Sequence, residues 1–254
     1  MPRGVAADFE VRLARTEADL RAAQRLRYEV FVAELGADGA MVDHDAGLER
    51  DRFDPLFDHL LLHDRAQDRL AGVYRVMRDD MAARAGGFYS ASEYDLTPLL
   101  NSGRRLLELG RSCLAPSYRG GAALHHLWGA LAEYVAEHQI ELLFGVASFK
   151  GTDPSALAAP LSLLHHRHLA PPELRVQVRE GLGQRMDLIA EDKLDRRAAM
   201  AAVPGLIKAY LRMGGHVGEG AFVDHAFNTT DVCLILDRRQ MDARRARIYG
   251  GGLT

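Results

Sequence analysis

Apolar and polar residues alternate in FEVRLA from Phe9, which predicts a strand with one buried face. Thr16 then offers a helix N-cap, and Leu20, Ala23, Leu26, Val30 and Phe31 recur at helical spacing until Gly36, where the helix is expected to stop. HLLLHD from His59 and LAGVYRVM from Leu70 are apolar runs joined by a polar turn, so they predict a hairpin. LLELGRSCL from Leu106 predicts another strand, followed by a helix from about Gly121 to His138 and a buried strand, ELLFGVASF, from Glu141. After Pro154 the pattern is helical through LHHRHLAPP, strand-like at QRMDLI and helical again through AVPGLIKAYLRMGG. A last strand, DVCLIL, starts at Asp231. Strands alternating with helices predict an α/β fold, and no internal repeat interrupts them.

Two stretches depart from this pattern. Residues 36–58 hold Asp38, Asp43, Asp45, Glu49, Asp51, Asp54 and Asp58 and are too long for a mere connector. LLELGRSCLAPSYRGGAALHH carries Glu108 and Arg111 inside a core strand, where an ionised group has a partner or a task. By alternation Glu108 shares a face with Gly110 and Ser112, while Arg111 points with Leu107 and Leu109 to the other face unless a bulge intervenes. Arg119, Gly120 and Gly121 then lead into a helix. Backbone N–H groups at a positive helix end suit a phosphate, and glycine removes the side chains that would block it. A base and a phosphate cradle on one strand–turn–helix unit suit acyl transfer; a plain structural turn is the alternative.

The chain has 254 residues, 48% hydrophobic and 26% charged, which fits one large globular domain or one with a substantial insertion. A formal net charge of -3 argues against a nucleic-acid partner. Cys113 and Cys233 are far apart and lack metal-ligand spacing, so neither a disulfide scaffold nor a zinc site is expected and a reducing cytoplasm is. His125 and His126 cannot share a helix face, and His165, His166 and His168 lack acidic partners at ligand spacing, so no metal is expected. Cys113 has no His or Asp spacing that would support a triad. Trp128, Leu131 and Tyr134, at helical spacing, are most simply core. No uncharged run reaches the roughly 18 residues of a membrane span, so any membrane contact is expected to be peripheral.

LELGRSCLAPSYRGG resembles the central motif of the GNAT-type N-acyltransferases. Together with RYEVFVAELGA, LHHRHLAPPELR, GLIKAYLRMGG and FNTTDVCLIL, it resembles the ornithine-acyl carrier protein N-acyltransferases, relatives of the acyl-homoserine-lactone synthases, over about Phe9 to Ile248. The resemblance implies a single GNAT-like domain over 9–248, a mixed β-sheet flanked by helices. Its core would span about 9–150, with an insertion and a helical C-terminal elaboration over about 151–248. It also implies transfer of a 3-hydroxy fatty acyl group from acyl carrier protein to the α-amine of L-ornithine, giving lyso-ornithine lipid. No bound cofactor is implied; the thioester on phosphopantetheine is a substrate. The implied setting is cytoplasmic, with peripheral contact to an anionic inner-membrane surface as a further expectation. Two positions depart from the related patterns: Tyr118 stands where a basic or amide residue opens the usual phosphate loop, and Ala37 where the lactone synthases carry tryptophan.

The chemistry assigns roles. A neutral amine must attack the thioester, so Glu108 either is the base or only pairs with Arg111 or Arg75 to satisfy strand polarity, and Arg111 and Ser112 beside it are further catalytic candidates. Arg27, Arg75 and Arg111 either grip the acceptor carboxylate or brace nearby acids. Asp51 and Asp54 either draw the side-chain amine of ornithine or belong to a solvated loop, and the motif implies Phe31 at the same site. Cys113, Leu114, Arg119, Gly120, Gly121 and Ala123 form the expected phosphopantetheine cradle, with backbone N–H near Cys113 or Leu114 meeting the oxyanion. Arg238, Arg239, Arg244, Arg245 and Arg247 in DRRQMDARRARIYG are expected to face acidic carrier protein or lipid, or else solvent alone. Two other readings stay open: another carrier-dependent N-acyltransferase, such as a signal synthase or acyl-amino-acid synthase, and a non-catalytic carrier-protein binder.

Overall fold

The computed structural model describes residues 7–240. In chain order the elements begin with β1 (Phe9–Leu13), α1 (Glu17–Arg27), β2 (Asp58–Asp64) and β3 (Arg69–Arg78). Short pieces follow, α2 (Asp79–Ala85), β4 (Tyr94–Asp95) and α3 (Thr97–Leu100). Next come β5 (Leu106–Leu114), α4 (Ala123–Glu137), β6 (Leu142–Lys150) and α5 (Ala158–His168). The remainder holds β7 (Gln177–Val178), β8 (Gly183–Gln184), α6 (Arg196–Ala202), α7 (Gly205–Arg212), β9 (His216–Val217), β10 (Ala221–Asp224) and β11 (Thr229–Asp237).

These elements cluster into two compact units. One comprises residues 7–77 and 109–139, the other 78–108 and 140–240. Residues 140–150, expected to belong with the core, thus cluster with 151–240 and with the short pieces after β3.

In the first unit β1, β2 and β3 form an antiparallel meander, with Val11 opposite Leu62 and Leu61 opposite Val73. Thr16 caps α1 as expected: its hydroxyl accepts from Asp19 N–H while the Asp19 carboxylate accepts from Thr16 N–H. The apolar stripe does not continue as α-helix to Gly36. Tyr28–Glu34 widens into a π-helical turn in which Leu35 N–H donates to Val30 C=O. That turn ends at Gly36, whose φ of +78° favours glycine. Ala23, Leu26 and Val30 pack with Leu61, Val73, Cys113 and Ala115, and Phe31 and Tyr118 lie against this cluster. The close approach of α4 requires Gly72: a Cβ there would lie 2.5 Å from Leu114 Cδ2 and 3.1 Å from Leu127 Cδ1.

In the second unit β5 and β6 run parallel, paired from Leu106 opposite Leu142 to Glu108 opposite Phe144. β6 pairs antiparallel with β11 along its whole length, and β10 and β8 extend the sheet. The strand expected at QRMDLI is absent apart from Gln184. The buried Ser162 hydroxyl explains why: it donates to Met186 C=O and accepts from Leu188 and Ile189 N–H, taking the backbone groups a ladder would use. AVPGLIKAYLRMGG is helical over Gly205–Arg212 as expected, and α6 before it stops at Ala202, because Pro204 has no N–H to donate and Val203 before it is extended.

Candidate functional site

The acidic loop folds inward onto buried arginines. Arg27, at the end of α1, donates to the Asp54 carboxylate at 2.7 and 3.0 Å, to the Glu49 carboxylate and to Glu49 C=O. Arg75, in β3, donates to Asp51 at 2.7 Å and to Asp54 at 2.8 Å, its guanidinium 4.2 Å from the centre of the Phe57 ring. Arg111 donates to Glu49 at 3.2 Å and lies 3.6 Å from Asp51. Three guanidinium groups thus meet three carboxylates. Local chain chemistry supports the loop: Asp51 accepts from Phe53 N–H, Pro55 is the second residue of a 3₁₀ turn, Asp54–Leu56, and Glu49 N–H reaches Gln24 C=O.

The electrostatics follow from burial and neighbours. Burial opposes ionisation of Asp54, but Arg27 and Arg75 outweigh it and hold the carboxyl well below the usual carboxylate range. Burial likewise opposes charge on Arg27, yet Glu49 and Asp54 raise its proton affinity. Burial pulls His59 down to about 4, against a weaker opposing effect from its hydrogen bond with Asp54 C=O. Side-chain exposure divides the cluster. Arg27, Glu49, Asp54 and Arg75 show 2% or less, Arg111 12% and Asp51 17%. Arg27, Arg75 and Asp54 therefore brace one another, and the surface of the cluster belongs to Arg111 and Asp51.

Strict alternation fails at Arg111. Its φ of +50° is left-handed, rare for a non-glycine residue, and redirects β5 at the point where the guanidinium meets Glu49. Ser112 beyond it is half-buried and Cys113 buried. Burial pushes the Cys113 thiol up to about 12, which makes it an inert core group.

Glu108, in the second unit, is held differently. Its carboxylate is 2% exposed as a residue and accepts one backbone N–H at each oxygen, from Tyr89 and from Ser90, both at 2.7 Å. The donors belong to a 3₁₀ turn, Tyr89–Ser92.

At the glycine turn Arg119 forms a bidentate pair with Glu34 at 2.6 and 2.7 Å and donates to Leu114 C=O. Tyr118 donates its hydroxyl to Asp64. Gly120, with φ +75°, and Gly121 are exposed, and a Cβ on either would meet nothing within 4 Å. Helix α4 begins at Ala123 behind Ala122, which supplies no side-chain cap. Of the basic segment, Arg238 donates to Ile140 C=O and Arg239 pairs with Glu141; Arg244, Arg245 and Arg247 lie outside the described residues.

Sequence reasoning missed Glu49, Gln24, Glu34 and the Tyr89–Ser90 amides. Glu49 was visible only as one acid among seven in its loop, and backbone donors 18 and 19 residues away leave no residue-type signal.

A GNAT acetyltransferase domain model matches residues 26–129. A Rhodobacter capsulatus protein named L-ornithine N(alpha)-acyltransferase is 58% identical over 95% of this chain and 94% of its own. A Brucella abortus protein of the same name is 41% identical over 95% and 89%. Among solved structures, FeeM, an N-acyl amino acid synthase from uncultured soil microbes, superposes with a TM-score of 0.55 at 12% identity, covering 93% of this chain and 95% of that one. At that identity the likeness is one of fold.

Proposed function

The chain belongs to the L-ornithine N(alpha)-acyltransferases, acyltransferases on the GNAT fold, and from that premise we propose how it performs the reaction and which donor it takes. The 58% identity across nearly both whole chains carries the acceptor, the α-amine of L-ornithine, and the product, an N-acylated ornithine of lipid biosynthesis. The donor in this proposal is a 3-hydroxy fatty acyl group on the phosphopantetheine thiol of acyl carrier protein.

The amine attacks the thioester carbonyl after Glu108, directly or through water, takes its proton. A C–N bond forms, the C–S bond breaks, and the remaining extra proton on the attacking nitrogen passes, directly or through water, to the departing phosphopantetheine thiolate. Arg111 and Asp51 are the members of the ion cluster with exposed side-chain surface, and their opposite charges match the acceptor's carboxylate and side-chain ammonium. Backbone N–H at Cys113 or Leu114 meets the oxyanion, and the exposed Gly120 and Gly121 leave room for the phosphodiester ahead of Ala123, which is itself buried where α4 begins. Arg119 must share itself with Glu34, and Tyr118 is engaged with Asp64. This sparse cradle supports a donor with one phosphodiester over coenzyme A. No helix among the described residues is long and apolar enough to cross a membrane. Peripheral contact with anionic lipid, from the cytoplasmic side, belongs to the same proposal.

The test offers purified enzyme 3-hydroxyacyl carrier protein with ornithine, lysine, glutamine or glycine and weighs the products by mass spectrometry. Mono-acylated ornithine should dominate, with glycine about 10- to 100-fold poorer in kcat/KM for want of the ammonium contact. Indifference between ornithine and glycine would overturn the acceptor roles of Arg111 and Asp51. Equal use of acyl coenzyme A would overturn the carrier-protein donor.

A further inference from the structure

We propose that the Tyr89–Ser92 turn is a positioning device for the reaction: its first two backbone amides set the orientation of the Glu108 carboxylate, an inference that rests on Glu108 being the base. The observation is one amide donor to each carboxylate oxygen, both at 2.7 Å, from adjacent residues. Charge-assisted bonds of this length are strong, and two of them fix both position and rotation of the group. The turn itself is clamped. Before it, Phe88 is buried with its ring edge-on to Phe144 at 5.0 Å, and Phe144 is the residue paired with Glu108 across β5 and β6. Arg179 donates its Nε to Ala91 C=O within the turn at 2.6 Å and its N–H to Glu93 C=O just after it at 2.9 Å. Tyr94, fully buried, donates its hydroxyl between Gly220 C=O and Asp231 C=O. A group that must meet a proton within hydrogen-bond reach gains from such preorganisation, and misplacement by about 1 Å can cost about 100-fold.

The role lies in the amides, so side-chain changes that keep them are controls. Tyr89 opens the turn, and Phe88 before it has φ −72° and ψ 156°, the extended conformation a residue before proline adopts. Tyr89→Pro therefore removes the donor to Glu108 Oε2 with little demand on the backbone, whereas Tyr89→Ala and Ser90→Ala retain both donors. Replacing Tyr89 by its α-hydroxy acid, through suppression, exchanges the same N–H for an ester oxygen and serves if the proline variant does not fold.

The experiment measures kcat and both KM values for each variant, with thermal unfolding alongside. Tyr89→Pro or the ester should lower kcat about 10- to 100-fold, leave KM for ornithine and for the acyl donor within about twofold, and leave the alanine variants within about threefold of the parent. Unchanged kcat in folded proline or ester enzyme, a loss confined to KM, or an equal loss in Tyr89→Ala would overturn the proposal. Glu108→Gln separates this from its premise. If that variant keeps near-normal turnover, Glu108 is not the base; if it is inactive while the ester enzyme is normal, only the positioning role fails.

Discussion

Asp54 and Glu108 are two buried carboxylates that differ in the donors the structure places against them. Asp54 takes one longer bond from Asp51 N–H at 3.3 Å and the rest from Arg27, Arg75 and Gln24, side chains drawn from a helix and a strand 21 to 30 residues away. Glu108 takes a backbone amide at each oxygen. Cations neutralise the first and, in a low-dielectric setting, commit it to a fixed ion pair. Amides orient the second through dipoles that bring no unit charge of their own. The first arrangement suits a brace and the second suits a proton acceptor. The contrast explains why a segment dense in acids contributes mostly scaffold, while a single glutamate in an apolar strand is the better candidate for chemistry.

The strongest way to break the comparison is to remove a bracing cation. Arg27→Leu leaves Glu49 and Asp54 short of their buried partner and should destabilise the fold by about 3–5 kcal/mol in denaturant unfolding. A loss under about 1 kcal/mol would mean that the cluster is not a brace. Acid sharpens the contrast next. His59, beside Asp54, is held neutral down to about 4 against an ordinary value of 6.5, so the unfolded chain binds the proton first and stability falls as pH drops through that window. Between pH 7 and pH 5 this one group should remove about 2 kcal/mol, and His59→Gln, which keeps a donor for Asp54 C=O, should remove most of that slope. Identical pH slopes in the two proteins would refute it. The smallest expected effect lies at the exposed edge. Asp51→Asn should raise KM for ornithine about tenfold, with kcat and thermal stability little changed, because Asp51 is the more exposed acid and Arg75 keeps Asp54. A collapse of stability would instead place Asp51 with the braces.

Much of this molecule was legible before any coordinates. The Phe9 strand, the Thr16 cap, the 58–78 hairpin, β5, α4, β6 and β11 follow from period-2 and period-3.6 patterning and local turn chemistry, which act within a few residues. The residue types of the site, Glu108, Arg111 and the acids before β2, stood out because charge in apolar surroundings needs a reason. Tertiary structure alone decided which partner each charge took: Arg27 with Glu49 and Asp54, Arg111 with Glu49, Arg119 with Glu34, Glu108 with two amides. It also decided that Ser162 replaces a strand at QRMDLI and that Arg111 breaks its strand's alternation. Periodicity is a property of neighbouring residues, whereas these pairings join groups 18 to 85 residues apart and exist only once the chain has closed on itself.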